Sequence, residues 1–205
     1  TYSEFARGGF FQLCIVAVIN GTVCGFSYIF IREDRGRTFR LFMGLMSVFT
    51  LLLCVTAMSK MLLYIKSYGL TQLRVYTFWF MILVVVICIL VILRQIRDFN
   101  GTRVGVIAFV ICFMILIYGN VDGRIAEYNV ERYEAGTLKA MDEGSMFCLS
   151  AGAAPHLIKA YENTEDEEFK RDIRFILEQY VWNQPSDWRN FNIQKSSVAI
   201  PKGLW

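Results

Sequence analysis

Four long apolar runs dominate the first part of this sequence and restrict how the chain can fold. They cover Phe10–Ile31, Leu41–Ile65, Val75–Leu93 and Val104–Val121. Only the second run contains a charged residue, Lys60. A helix needs about 20 apolar residues to cross the roughly 30 Å of bilayer hydrocarbon, and the fourth run is slightly short of that. Because none of the runs has a polar face, they predict four transmembrane helices rather than helices on a soluble core.

The rest of the chain has a different composition. Only 19% of the 205 residues are charged and 55% are hydrophobic, which excludes a disordered chain. The residues before Asn120 include 11 basic and 4 acidic side chains, whereas those from Asn120 onward include 10 and 14. We therefore predict an all-α integral membrane protein with a membrane domain over residues 1–119. A small, mostly helical polar domain should follow over residues 120–205.

The basic residues in the connections predict an orientation. The first and third connections, Arg32–Arg40 and Arg94–Arg103, together contain seven arginines, whereas the second, Lys66–Arg74, contains two basic residues. An excess of Lys and Arg in short loops marks the cytoplasmic side of a membrane. With four spans, the polar domain lies on the opposite side. We expect a multi-pass protein of the bacterial plasma membrane with an extracytoplasmic C-terminal domain, in which Cys148 is an exposed thiol.

The polar region predicts three helices. The first covers Asp122–Ala140, with Gly136 weakening its second half, and a short one lies around Pro155–Glu162. The third follows Thr164, which forms a capping-box pattern with Glu167. The apolar stripe of this third helix consists of Phe169, Ile173, Ile176, Leu177 and Tyr180. We expect the stripe to pack on Ala126, Val130 or Tyr133 of the first helix, or on the membrane surface.

Few signatures of catalysis are present. The six cysteines include no Cys-x-x-Cys pair, His156 is the single histidine, and no phosphate-binding loop or nucleophile elbow occurs. His156 follows Pro155 and is interpreted first as a solvated residue at a helix start. We predict no catalytic residues, no bound metal and no cofactor. An enzyme is therefore disfavoured, although a catalytic triad assembled in space stays an alternative.

Carboxylates form the best polar cluster. Asp122 precedes Glu127, Glu131 and Glu134, which share one helix face. Paired carboxylates can divide acid and base roles or hold a divalent ion. However, Arg124 and Arg132 alternate with them at the spacing of helical ion pairs. A solvated, salt-bridged face is the simpler interpretation.

Two polar residues within the spans are further candidates. Intramembrane charge is costly and often functional, but the long stem of Lys60 can carry its ammonium group to the interface. Asn20 lies beside Gly21 and Gly25, and this Gly-x-x-x-Gly spacing allows close approach of helices. Asn20 is therefore a candidate for helix packing.

Several segments resemble a known family. The segments Glu4–Leu13, Leu63–Arg74, Asn120–Tyr133 and Asp187–Asn192 occur in this order, and their Tyr-Gly-Leu-Thr and Tyr-Asn-Val-Glu-Arg-Tyr sequences are the most specific parts. Together they resemble a bacterial multi-pass membrane family catalogued as a domain of unknown function, the 4153/4173 group. The resemblance implies that the chain corresponds to the C-terminal half of such proteins, with further helices before it. It implies no activity.

Three functions stay open at this stage. The first is a non-enzymatic scaffold or partner-binding component of the bacterial envelope. The second is a component of a transporter or permease, which Lys60 and Asn20 would serve. The third is a membrane enzyme acting through Asp122, Glu127, Glu131 and His156. The expected partners are the lipid bilayer and either another membrane protein or a second copy of the chain, but not nucleic acid.

Overall fold

The computed structural model describes residues 2–30, 36–97, 99–138 and 143–182. Within these ranges the chain is helical and contains no strand. The α-helices are α1 (Tyr2–Phe30), α2 (Arg37–Tyr68), α3 (Gln72–Ile96), α4 (Gly101–Tyr118), α5 (Val121–Glu134), α6 (Glu143–Phe147), α7 (Ala154–Asn163) and α8 (Glu167–Trp182). A short 3-10 helix, Ala151–Ala153, precedes α7. The Asp187–Asn192 segment and the C-terminal tail lie outside the described residues.

The first four helices confirm the predicted spans. Each is long and apolar enough to cross a membrane. The helices extend beyond the apolar runs at most ends, into the polar residues that flank them. As a result the second connection is only Gly69–Thr71, shorter than the predicted Lys66–Arg74.

The fourth span ends earlier than the sequence predicts. Helix α4 stops at Tyr118, and Val121 is the first residue of α5 rather than the last of the span. Asn120 separates the two helices with a positive φ of 44°, a left-handed conformation that asparagine tolerates better than most residues. Its side chain also accepts a hydrogen bond from the Gly123 backbone N–H at 3.4 Å, so Asn120 caps α5.

The chain divides into two compact units. The first, the membrane unit, contains Thr1–Lys66 and Tyr76–Tyr118, and the second, the polar unit, contains Ser67–Val75 and Gly119–Trp205. From the sequence, the segment between α2 and α3 is predicted to be a short polar connection. In the structure it is an integral part of the polar unit.

The polar unit has its own hydrophobic core. It is built from α5, α6, α7, α8 and the 3-10 helix, with Leu70 of the second connection and Val75 of the first turn of α3 packed against it. The stripe predicted on α8 is buried at Phe169, Ile173, Ile176 and Leu177, whereas the Tyr180 side chain lies outside the described residues. Phe169 packs on Tyr133 with ring centroids 4.4 Å apart, and Ala126 and Val130 belong to the same cluster. The predicted contact of Phe169 with Tyr133 is confirmed, but α8 packs chiefly on α7, which lies against both α5 and α8.

Two predicted helix ends are wrong. Helix α5 ends at Glu134 instead of Ala140, because Gly136 adopts a positive φ of 65° and closes the helix. Helix α8 is capped by Asp166 rather than Thr164. The Asp166 carboxylate accepts hydrogen bonds from the backbone N–H groups of Glu168 and Phe169. Thr164 instead follows the end of α7, and its hydroxyl accepts from the Asp166 N–H.

Candidate functional site

A cluster of polar side chains joins the second connection to α5. Its centre is Asn129, which is 5% exposed. The Asn129 side-chain oxygen accepts from the Leu70 backbone N–H at 2.7 Å, and its amide nitrogen donates to the Leu70 carbonyl oxygen at 2.7 Å. One side chain therefore satisfies both backbone groups of Leu70, as a neighbouring β-strand would. This Asn129–Leu70 contact attaches the connection to α5.

Gly69 makes this approach possible. Its φ is +77°, and a Cβ atom at this position would lie 2.7 Å from the Asn129 side-chain oxygen. A side chain would therefore both strain the backbone and push Asn129 away. Arg74 adds a second contact on the same turn, since its guanidinium donates to the carbonyl oxygens of Tyr68 and Gly69 at the C-terminal end of α2.

Asp122, the first carboxylate of the predicted cluster, serves as a second junction. One of its oxygens accepts from the Gln72 side-chain amide at 2.7 Å, and the other accepts from the Ser150 backbone N–H at 3.0 Å. The Gln72 amide also donates to the Cys148 carbonyl oxygen at 3.4 Å. Asp122 thus connects the start of α3, the start of α5 and the segment before α7.

A buried glycine lets α5 approach that segment. A Cβ atom on Gly123 would lie 2.9 Å from the Gly152 carbonyl oxygen. Since that oxygen belongs to the backbone, any larger side chain would force α5 and the 3-10 helix apart. Gly123 therefore contributes close packing beside the Asp122 junction.

Arg132 stabilises the end of α5. Its guanidinium donates to the Thr137 hydroxyl at 3.1 Å, to the Thr137 carbonyl oxygen at 3.2 Å and to the Tyr128 hydroxyl at 3.3 Å. It also lies 5.6 Å from the centre of the Tyr128 ring. Arg132 therefore folds the turn after α5 back onto the helix.

Tyr133 and Asp166 form a polar contact at the edge of the core. The Tyr133 hydroxyl donates to the Asp166 carboxylate at 3.0 Å. Burial raises the pKa of Tyr133, and the hydrogen bond to Asp166 raises it further. The pKa of Asp166 is lowered, first by the hydrogen bond from the Phe169 N–H and then by the one from Tyr133. The contact links the cap of α8 to α5.

The other candidates are distributed over both units. Glu127 and Glu131 are exposed on α5, and His156 is half-buried in α7. Asn20 and Lys60 are half-buried in α1 and α2 of the membrane unit. Over the described part of the chain, no group of three or more His, Cys, Asp or Glu side chains is placed to hold a metal ion.

Sequence reasoning missed Asn129, Gln72 and Gly69. Asn129 had a detectable signal, because it lies among the apolar residues of the α5 stripe, where a polar side chain needs a specific buried partner. Gly69 also had one, since glycine directly after a long helix favours a left-handed end. Gln72 gives no such signal in the sequence, because a glutamine at a helix start indicates no particular contact until its distant partner, Asp122, is known.

The fold and this cluster define a class of protein: over the described residues, a helical chain with four membrane-compatible helices and a polar helical unit that has its own hydrophobic core and hydrogen-bonded junctions. A family model described as "Domain of unknown function (DUF4153)" matches residues 1–160, and the chain belongs to this family. No curated protein and no solved structure matches the chain. The two most specific segments of the resemblance, Tyr-Gly-Leu-Thr and Tyr-Asn-Val-Glu-Arg-Tyr, contact each other through Leu70 and Asn129.

Proposed function

We propose that this protein is a non-enzymatic scaffold of the bacterial cell membrane. Its four apolar helices anchor the polar unit, which binds a membrane-protein partner or a second copy of the chain. The proposal rests on the contacts of the polar side chains, which bind other parts of the same chain. Asn129, Asp122, Gln72 and Arg132 all make hydrogen bonds within the chain, so they stabilise the unit.

The division into units supports this anchoring role. The chain crosses between the membrane unit and the polar unit three times, after Lys66, after Val75 and after Tyr118. In a chain with four spans, the second connection and the region after α4 also belong to the same side of the membrane. Their presence in one unit is consistent with that topology.

Crosslinking in native membranes tests the partner. A photoreactive amino acid at Glu127 or Glu131, both exposed on α5, should give a discrete crosslinked product that mass spectrometry identifies. The same amino acid at Ile125, which is fully buried, should give only intrachain products. If the exposed positions yield the chain alone, without partner or second copy, the scaffold proposal is wrong.

The proposed extracytoplasmic orientation has its own test. Among the six cysteines, Cys148 is exposed, whereas four are buried and Cys112 is intermediate. A membrane-impermeant maleimide should therefore label Cys148 in intact spheroplasts, and the Cys148→Ser variant should stay unlabelled. Labelling only after the membrane is disrupted would place the polar unit in the cytoplasm.

A further inference from the structure

A groove of about 390 Å³ lies on the polar unit between α6 and α8. Phe147 of α6 and Phe175 of α8 line it, and their rings stack with centroids 5.9 Å apart and planes inclined by 23°. Among the described side chains of α5 to α8, these two are the large apolar residues that stay exposed, at 45% and 57%. This aromatic groove is therefore an apolar surface on an otherwise polar exterior.

Buried neighbours hold the two rings in place. Met146, directly before Phe147, is fully buried, and Ile176, directly after Phe175, is 4% exposed and lines the groove. Aromatic side chains that are already fixed in this way lose little conformational freedom when they bind a partner. Such residues contribute most of the binding energy at protein interfaces.

Charges of both signs lie beside the rings. Arg171 and Asp172 line the aromatic groove, and the Arg171 side chain is 76% exposed. The Arg171 guanidinium lies 3.9 Å from the carboxylate of Asp172 and 3.9 Å from that of Glu168, both on its own helix. Ion pairs that are this long and this exposed contribute little to stability, so their members can exchange partners readily. The surface thus has an apolar centre and a positive and a negative residue next to each other.

This combination matches a second copy of the same surface. In a two-fold interface, residue i of one copy contacts residue j of the other, and j contacts i in return. Arg171 and Asp172 would therefore form two ion pairs at once across the axis. An anionic membrane surface is less complementary, because Asp172 and Glu168 would face headgroups of the same charge.

Insertion in a membrane favours such a pairing. The chain has four helices that are long and apolar enough to cross a membrane. Copies that cross it in the same direction can be related by a two-fold axis along the membrane normal. Confinement to one plane also raises the effective concentration of the copies, so a contact smaller than a standard interface between soluble proteins suffices.

We propose that two copies of the chain associate through their aromatic grooves. Phe147 and Phe175 form the centre of the contact, and Arg171 of each copy pairs with Asp172 of the other. This inference rests on the proposed function, in which a second copy is one of two partners, and it selects that partner and the surface that binds it.

Photocrosslinking of the full chain in native membranes tests the surface. Benzoylphenylalanine in place of Phe175 should give a dimer of the chain, in which mass spectrometry finds position 175 joined to α6 or α8 of the second copy. The same amino acid at Lys159, which is exposed on α7 and does not line the groove, should give no dimer. Phe175→Ala should weaken dimerisation about tenfold, measured by energy transfer between labelled copies in liposomes.

Charge reversal tests the ion pairs. Arg171→Asp gives an acidic copy and Asp172→Arg gives a basic copy, and each alone should dimerise at least about fivefold more weakly, because like charges then face each other. A mixture of the two copies should form heterodimers about as well as the native chain dimerises. Arg174→Asp makes the same change of charge on α8 outside the groove and should leave dimerisation unchanged. Circular dichroism checks that every variant retains the helical fold.

Several outcomes would overturn the proposed interface. Unchanged dimerisation in Phe175→Ala, or a mixture of the acidic and basic copies that forms no heterodimer, would exclude it. Lipid adducts alone at position 175 would assign the groove to the membrane surface, and intrachain products with residues 183–205 would show that the chain itself covers it.

The same crosslinks separate this inference from the scaffold proposal. A product that joins position 175 to a different membrane protein would exclude the second copy but support a scaffold. If neither position 175 nor the α5 positions Glu127 and Glu131 give an intermolecular product, both proposals are wrong.

Discussion

The two units of this chain bury different kinds of side chain. In the membrane unit the buried positions of α2 include Ser47, Thr50, Cys54 and Ala57, while large residues such as Leu52 stay exposed. In the polar unit the fully buried side chains include Ile125, Met146, Leu157, Ile173 and Leu177. A row of small residues thus lies on the buried face of α2 between Met43 and Met61, whereas large apolar residues occupy the centre of the polar unit.

The surroundings explain this difference. In water, large apolar side chains gain free energy when they leave the solvent. In lipid they gain little, so association depends on close packing, which small residues permit. The small polar residues of the spans also need hydrogen-bond acceptors, and Thr50, Thr56 and Ser59 donate to carbonyl oxygens four residues earlier. Changes in side-chain size should consequently have opposite effects in the two units.

The largest expected effect is the loss of a large buried residue from the polar unit. Phe169→Ala should lower the free energy of unfolding of this unit by about 3–5 kcal/mol, because it removes a buried ring and leaves a cavity. Phe175 lies on the same helix but is 57% exposed, so Phe175→Ala should cost well under about 1 kcal/mol. Denaturant titration followed by near-ultraviolet circular dichroism measures both. Equal losses would contradict the assigned core.

Asn129→Leu should have the next largest effect. It keeps a similar volume but removes both partners of the half-buried Leu70 backbone, and the two groups left unpaired should together cost about 2–3 kcal/mol. Hydrogen exchange should show faster exchange of the Leu70 amide. Asn129→Asp keeps the acceptor oxygen and loses only the donor, so it should retain part of the protection. An unchanged exchange rate in Asn129→Leu would show that the contact does not hold the connection.

The membrane unit should respond to enlargement instead. Ala57 is fully buried in α2, and Ala57→Leu should destabilise the unit by about 1–3 kcal/mol through overpacking. Leu52→Ala, at a position that is 59% exposed, should change stability by less than about 0.5 kcal/mol. Thermal melting in detergent compares the two variants. If Leu52→Ala destabilises the unit more than Ala57→Leu does, the membrane unit packs like a soluble core, and the proposed difference between the two units is wrong.

The two units also differ in how far the sequence predicts them. The four spans follow from hydropathy alone, because every backbone group in a membrane has to be paired within a helix. The burial of the α8 stripe and its contact with Tyr133 follow from matching apolar stripes, although the main partner of α8 is α7. By contrast, the junctions at Asn129 and Asp122 join residues 59 and 50 positions apart, and no local pattern specifies such a pairing. The helix ends at Gly136 and Asp166 were missed because several residues nearby could cap equally well.

Two glycines with positive φ allow the cost of backbone strain to be measured separately from the cost of steric crowding. Gly136→Ala meets open space and should cost only the strain of a left-handed alanine, about 1 kcal/mol. Gly69→Ala carries the same strain and also places its Cβ against Asn129, so it should cost measurably more. Chemical denaturation of both variants gives the difference directly. Equal costs would mean that Asn129 shifts freely, which the Asn129–Leu70 contact opposes.

The smallest expected effect is a pH dependence at the edge of the core. The pKa of Asp166 is lowered from its ordinary value of 3.8, so its ionised form is favoured in the folded chain. The stabilisation is therefore present above about pH 3.8 and is lost as the pH falls through the lowered pKa.

Asp166→Asn keeps an acceptor at the cap but removes the charge that receives the Tyr133 hydrogen bond. The melting temperature of the native chain should exceed that of Asp166→Asn at neutral pH, and the two should converge on acidification. Glu165→Gln removes a neighbouring charge as the control and should follow the native chain. A difference between the native chain and Asp166→Asn that persists at the lowest pH would show that charge at Asp166 does not stabilise the polar unit.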